Sequence, residues 1–251
     1  VPEGDTIAKA AARLRACLLD REITAARTTA PVPVASLVGD RVAAVDANGK
    51  HLLIRFTSGR VLHTHMRMTG YWRVYTTPGR WERARLVLEA GAQAAVCFNA
   101  PVIELLRPGG DAGHPALAAL GPDILAEPLD LAGVLARVRD LPAGTEVGDL
   151  LLDQRVVAGI GNIWRNEALF VTRTHPQRRV EGTDVAAVVE AAAAMMRRSV
   201  AGHRADPWVY RRAGRPCRRC GARIASARVG TQGRTAYWCP RCQPMPEGPA
   251  G

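Results

Sequence analysis

The sequence predicts an α+β multidomain fold: an N-terminal antiparallel β-sandwich led by one helix, then a helical domain, then a C-terminal zinc-finger hairpin. Three observations carry this reading. Residues 5 to 19 have helical period. From Arg21 to Leu106 the pattern changes to short alternating runs separated by turn dipeptides. Helical period then returns beyond Pro122 and gives way to two C-x2-C pairs.

The leading helix places Ile7, Ala11, Leu14 and Leu18 on one apolar face, and Asp5 or Thr6 is expected to cap its start. The strand signals are Arg41–Asp46, His51–Phe56, Val61–His65, Tyr71–Tyr75, Arg85–Leu88 and Ala94–Phe98. Asn48-Gly49, Ser58-Gly59, Pro78-Gly79 and Ala90-Gly91 punctuate them. Pro108-Gly109-Gly110 opens a linker that runs to about Pro122. Helical segments follow at Leu129–Arg139, Glu146–Leu152, Ile163–Phe170 and Asp184–Ala201, the last rich in alanine. The expected division is residues 1–112 for the catalytic sandwich, 113–125 for a hinge, 126–206 for the helical domain, 207–243 for the cysteine hairpin and 244–251 for a disordered tail.

Composition narrows the function. The formal net charge of +11 and a pI near 10.2 favour a polyanionic partner. The excess is local: ten arginines stand between His203 and Cys242 against one acid, Asp206. Uniform surface basicity for solubility would not concentrate charge in this way. No apolar run approaches the ~20 residues that span a bilayer, and neither a basic amphipathic helix nor a lipidation signal stands out. The charged N-terminus does not read as a secretory signal, so a cytoplasmic protein is expected. Of the 34 basic residues only Lys9 and Lys50 are lysines. Lysine, unlike arginine, can give up its proton, so a persisting lysine points to chemistry. Lys9 fits a solvated helix face; Lys50, beside Gly49 in a turn, stays open on this ground alone.

Cys217/Cys220 and Cys239/Cys242 supply four thiolates from two knuckles, the spacing of a tetrahedral zinc site. Four thiolates leave no position for water, so the zinc is expected to be structural, one ion per chain. Cys17 and Cys97 stand alone in apolar settings and are expected in the core. Val157 to Trp164 carries Gly159 and Gly161 before a helix. The amides there can hold a phosphate, with Asn162 as a further donor, and the same stretch serves equally as a packing corner between helices.

Five segments together resemble the formamidopyrimidine-DNA glycosylase / endonuclease VIII family. They are Pro2-Glu3-Gly4-Asp5-Thr6, Gly49-Lys50-His51-Leu52-Leu53, Leu151-Leu152-Asp153-Gln154 through Ile163, Val209 through Cys217, and Arg234 through Gln243. They are spread over about residues 2 to 243, in the family's order. The resemblance implies a helix–two-turn–helix DNA-binding domain and a bifunctional DNA glycosylase/AP lyase acting on damaged duplex DNA. It implies Pro2 as the amine nucleophile, Glu3 as acid/base at the sugar and Lys50 as a further acid/base and phosphate contact. Asn162 and Arg234 would grip the phosphates flanking the lesion. His65 to Gly70 resembles the family's wedge loop, with Met68 at the inserting position; the competing reading is a core methionine in a strand. A nucleoid-associated bacterial monomer without an organic cofactor is expected.

Three departures from the family pattern matter. Val1 precedes Pro2, and the chemistry needs Pro2 as the free terminus, so Val1 is expected to be a start residue that is removed. The formamidopyrimidine branch has a second wedge element with an Arg and a Phe; here the stretch Phe98-Asn99-Ala100-Pro101-Val102 lacks that pair. That branch also has a long loop before the zinc finger, where this chain has only about Gly202 to Pro207. The last two points favour the endonuclease VIII branch and oxidised pyrimidines. The runner-up is an oxidised-purine glycosylase. A non-catalytic binding protein on the same scaffold would lack Pro2, Glu3 or Lys50, and all three are present.

Overall fold

A computed structural model describes residues 2–245 apart from 77, 78, 80, 204 and 205. Val1, the turn residue Pro78, Arg204 with part of the interval before Pro207, and the tail from residue 246 onward therefore lie outside the described residues. The chain divides into two compact units, residues 1–119 and 120–251. Among the described residues no helix is long and apolar enough to cross a membrane.

The first unit opens with helix α1 (Gly4–Leu18), which buries Ile7, Ala11, Leu14 and Leu18 along one stripe. Its N-cap is Glu3, not Asp5 or Thr6 as the sequence suggested. The reason is that the amides of Thr6 and Ile7 already donate to the Glu3 carbonyl, at 2.9 and 3.1 Å, so the first turn is closed before Thr6 is reached. Asp5 lies inside that turn and pairs with Lys9 at 3.4 Å, so Lys9 is half-buried rather than on a solvated face.

Eight strands follow: β1 (Ala25–Thr28), β2 (Val42–Asn48), β3 (His51–Phe56), β4 (Val61–His65), β5 (Tyr71–Tyr75), β6 (Ala84–Ala90), β7 (Gln93–Phe98) and β8 (Val102–Leu106). They form two antiparallel sheets, ordered β1-β6-β7-β5 and β2-β3-β4-β8. Alternation decides what each face carries. Leu52, Ile54 and Phe56 of β3, Leu62 of β4 and Ile103 of β8 join α1, Leu86, Leu88 and Cys97 in one core. The intervening residues His51, His63, His65 and Glu104 fall on the other face of the second sheet, with His51 paired to His65 and His63 to Glu104 in register. Cys17 and Cys97 are both buried core residues, and burial pushes the Cys97 thiol up to about 12.

The linker before residue 122 contains one short helix, α2 (Pro115–Ala118). In the second unit come α3 (Leu131–Arg139), α4 (Val147–Leu150), α5 (Asn162–Val171) and α6 (Val185–Val200), then the hairpin β9 (Ala225–Val229) and β10 (Arg234–Trp238). Asp130 and Asp184 cap α3 and α6 by accepting from the amides of Gly133 and Ala187. Helix α6 buries Val185, Val188, Val189, Ala192, Ala193 and Met196, the helical stripe that its alanine-rich sequence implied. Helix α4 is shorter than the Glu146–Leu152 period suggested. Its Gly148 amide bonds outward to Pro176, and a Cβ there would meet the Pro176 oxygen at 2.7 Å.

Candidate active site and nucleic-acid interface

In the first unit the residues proposed for chemistry sit at element ends. Pro2 is half-buried just ahead of α1, while Glu3, at its N-cap, is only 1% exposed. A carboxylate at a helix N-terminus is favoured by the local dipole, and burial takes it out of competition with water. Lys50 follows Gly49 in the two-residue connection between β2 and β3, where Asn48 pairs with His51. Gly49 has φ +57°, a conformation that carries the chain round this connection without strain.

Next to Lys50 begins a chain of imidazoles. His51 Nδ1 lies 2.8 Å from His63 Nε2, and His63 Nδ1 is 2.7 Å from a Glu104 oxygen that His114 Nε2 also approaches, at 3.1 Å. The His65 ring stands edge-on to His51 with centroids 4.7 Å apart. Burial first, then the nearby His65, His63, His114 and Lys50, lowers His51 to about 3. Burial, then Arg67, His63 and Lys50, lowers His65 to about 4. Burial lowers His63 too, against the pull of Glu104. His51, His63 and His65 are therefore held in the neutral form at neutral pH. His51 and His65 stand in segments that the sequence singles out for other reasons, and nothing in the sequence marked His63 and His114; for the three strand residues the signal was same-parity placement on β3 and β4.

The loop after β4 carries Met68, 51% exposed, whereas Met66 is 2% exposed in the core. A core role for Met68 is thus excluded in the free protein. The loop is closed by the Gly70 amide donating to the Met66 carbonyl at 2.9 Å, and Arg67 adopts φ +46°. A Cβ on Gly70 would sit 2.7 Å from that carbonyl oxygen, so glycine is required. On the neighbouring β7–β8 connection there is only a tight turn with Asn99 at φ +53°. Phe98 does stand in that stretch, but as a strand residue 8% exposed and stacked on Tyr71, not as a projecting wedge.

In the second unit, Gln154 holds the glycine turn. Its amide donates to Leu152 and Ile160 carbonyls at 3.1 and 3.0 Å, and its oxygen accepts from the Gly159 amide at 3.0 Å. Helix α5 begins at Asn162, whose side chain donates to the Thr235 carbonyl at 2.9 Å. The same helix anchors the hairpin along its length. Arg165 donates to Thr235 at 3.0 Å, and the Asn166 oxygen accepts from the Tyr237 amide at 2.7 Å. The Glu167 carboxylate takes the amides of Trp208, Val209 and Tyr210 at 2.7, 3.1 and 2.9 Å. Sequence reasoning missed Arg165, Asn166 and Glu167, because their partners lie some 40 to 70 residues away. The result is an open groove of about 510 Å3 lined by Asn162, Tyr210, Arg211, Arg228, Arg234 and Tyr237. A larger cavity of about 930 Å3 is lined by Glu146, Asp149 and Asp153 with one cation, Arg155, which is already paired to Asp153, so its lining does not favour phosphate.

Cys217, Cys220, Cys239 and Cys242 bring four sulfurs within 4.8 Å of one another. The Cys217–Cys242 and Cys220–Cys239 separations are 4.0 and 3.4 Å. Zinc–sulfur bonds of ~2.3 Å put tetrahedral neighbours about 3.8 Å apart, so the four residues fit zinc. Burial and the neighbouring sulfurs raise Cys242 to about 12 and push Cys239 upward, while the Ala222 amide and the other sulfurs lower Cys220 to about 7, so the thiols share protons unequally. Gln243 ties the far knuckle down, accepting from the Cys239 amide at 3.0 Å and donating to the Thr174 carbonyl at 2.8 Å.

A sandwich headed by a buried carboxylate, and a helical unit whose glycine turn and four-thiol hairpin accompany an arginine groove, define a two-unit protein suited to a polyanionic partner. Comparison with known proteins makes the assignment specific. The formamidopyrimidine-DNA glycosylase N-terminal domain matches residues 1–101, its helix–two-turn–helix domain matches 120–206, and the zinc finger found in formamidopyrimidine-DNA glycosylase and isoleucyl-tRNA synthetase matches 214–244. The chain is 39% identical to the DNA-(apurinic or apyrimidinic site) lyase Nei2 of Mycolicibacterium smegmatis, over 97% of this chain and 99% of that one. It is 31% identical to endonuclease 8 of Escherichia coli, over 97% of this chain and 100% of that one. Among solved structures, the Lactococcus lactis formamidopyrimidine-DNA glycosylase bound to DNA with an abasic site has the same fold, with a TM-score of 0.83 and 21% identity over 97% of this chain and 100% of that one. The chain belongs to the formamidopyrimidine-DNA glycosylase / endonuclease VIII family, with relatives on its endonuclease VIII branch.

Proposed function

We propose that this protein is a bifunctional DNA glycosylase/AP lyase of base excision repair that excises oxidised bases, chiefly pyrimidines, through Pro2. The observation that carries the reading is the Pro2-Glu3 pair at the head of α1 in a chain of this family. An α-amine has an ordinary pKa near ~7.7–8.0, so a useful fraction is neutral at physiological pH. With Val1 removed, the secondary amine of Pro2 attacks C1′ of the damaged nucleotide. The N-glycosidic bond breaks, the base leaves with a proton, and an iminium links Pro2 to the opened sugar. Glu3 supplies and receives the proton at the ring oxygen. The iminium acidifies the C2′ proton; its removal breaks the C3′–O bond and cuts the strand. Lys50 serves as a second acid/base and phosphate contact. Water then releases Pro2.

Asn162 and Arg234 grip the flanking phosphates from the groove of the second unit. A zinc ion held by the four cysteines cross-links the hairpin that presents Arg234 and takes no part in bond making. Met68 enters the space left by the flipped base. We place the enzyme in the bacterial cytoplasm, acting as a monomer on chromosomal duplex.

The pyrimidine preference rests on two features. The β7–β8 connection is a tight turn, so gap filling falls on the single loop at Met68. The few residues from Gly202 to Pro207 are too short to reach over a large purine. Single-turnover rates on matched oligonucleotides test this. Thymine glycol and 5-hydroxyuracil should leave faster than 8-oxoguanine opposite cytosine. Met68→Ala should slow excision from duplex several-fold and from single strands hardly at all. Faster release of 8-oxoguanine than of every oxidised pyrimidine would reverse the preference and favour the purine-directed branch.

A further inference from the structure

We propose that His63, Glu104 and His114 form a second metal site, for a zinc-class divalent transition ion, on the outer face of the β2-β3-β4-β8 sheet. Nothing in the glycosylase chemistry uses these residues, and the four thiolates lie in the other unit.

The donors converge. His63 Nδ1 and His114 Nε2 stand 2.7 and 3.1 Å from the same Glu104 oxygen, and one donor atom from each of the three residues lies within 4.8 Å of the others. Metal–nitrogen bonds of ~2.0–2.1 Å in a tetrahedral site set neighbouring donors about 3.4 Å apart, so an ion enters once the His63–Glu104 pair opens by about 0.7 Å and the His114–Glu104 pair by about 0.3 Å. Two imidazoles and one carboxylate suit zinc or nickel and not magnesium or calcium, which want oxygen. Two of the donors are fixed by strand register, since His63 and Glu104 face each other across β4 and β8. Approach is from the Glu104 side, whose side chain is 42% exposed, while His114 is 17% and His63 2% exposed.

The surroundings match a ligand sphere as well. A metal-bound histidine commonly hands its remaining N–H to a fixed acceptor. Here the far nitrogen of His63 already lies 2.8 Å from His51 Nδ1. In the metal-free protein the carboxylate of Glu104 requires neutral His63 to carry its proton on Nδ1, so its Nε2 accepts from His51. An ion on Nδ1 displaces that proton. His63 then carries its proton on Nε2 and donates to His51, whose own proton moves to its other nitrogen. Occupancy thus inverts one hydrogen bond and reaches the residue next to Lys50 through two rings. The site is independent of whether Pro2 is the nucleophile.

The test uses the whole chain with its cysteine site filled. After equilibration in micromolar free zinc and gel filtration, metal analysis of the native protein should give two zinc ions per chain. Glu104→Gln, which keeps shape, and His114→Ala, which leaves the buried His63 in place, should each give one. Imidazole nitrogen NMR on the native protein should show the His63 proton on Nδ1 in protein holding one zinc and on Nε2 after the second is added. One zinc in the native protein, two in both variants, or an unchanged His63 tautomer on zinc addition would overturn the proposal.

Discussion

The two compact units treat polar groups in opposite ways. In residues 1–119 several ionisable groups are withdrawn from water: Glu3 and His63 are each 1% exposed, and His51, 2.8 Å from His63, is buried as well. In residues 120–251 the cations that matter, Arg211, Arg228 and Arg234, stay at the surface of a groove, the buried polar residues Arg165, Asn166 and Glu167 spend their hydrogen bonds on the segment from Trp208 through the hairpin, and Gln243 ties its knuckle to Thr174. The difference fits the tasks proposed for each unit. Proton transfer at a sugar gains from a low-dielectric setting that tunes acid strength, whereas phosphate recognition needs charges that reach out and a scaffold that does not move. One unit is therefore expected to govern rate and the other affinity.

The largest effect should come from the first unit. Glu3→Gln removes the acid/base group without changing volume, and base excision should fall by roughly 10²–10⁴-fold, the usual worth of such a group. Equilibrium binding to abasic-analogue DNA should stay within about twofold, since no phosphate contact is lost. A parallel loss of binding would erase the division between the units.

Removing zinc should give the next largest change. Cys239→Ser leaves three thiolates, loosens the hairpin that presents Arg234, and should weaken DNA binding at least tenfold. The β-sheet signature and thermal transition of the first unit should persist, because its core shares no residue with the hairpin. Full DNA affinity in that variant would remove the hairpin from the interface. The smaller change is Arg234→Ala. It should cost about tenfold in affinity and reduce the slope of log K against log salt by about 1, in proportion to one lost phosphate contact. An unchanged salt slope would show that Arg234 does not meet phosphate.

Much of this was legible in the chain. Three strands, β3, β4 and β5, have the bounds that the short apolar runs and turn dipeptides indicate; burial is one-sided only in β5, while β3 and β4 are buried on both faces over most of their length. The four cysteines meet because two knuckles on a hairpin can only bring them together. Other features were not legible for physical reasons. The helix start depended on the carbonyl of Glu3, a backbone contact without a side-chain signature. The imidazole row required knowing which strands are neighbours and in which register. Glu167 reads as an ordinary helix-surface acid until the chain at Trp208 to Tyr210 folds back onto it. Local pattern encoded the elements; contacts across long separations decided which polar side chains became structural.

The most direct test of the account is covalent capture at Pro2. Protein whose first residue is confirmed as Pro2 by mass spectrometry is incubated with abasic-site DNA and borohydride, then digested and mapped. The expected result is a reduced cross-link on the N-terminal peptide, with the modified atom at the Pro2 nitrogen, and strand cleavage in the unreduced control. A cross-link on Lys50 or Lys9, or none with protein that begins at Pro2, would contradict it.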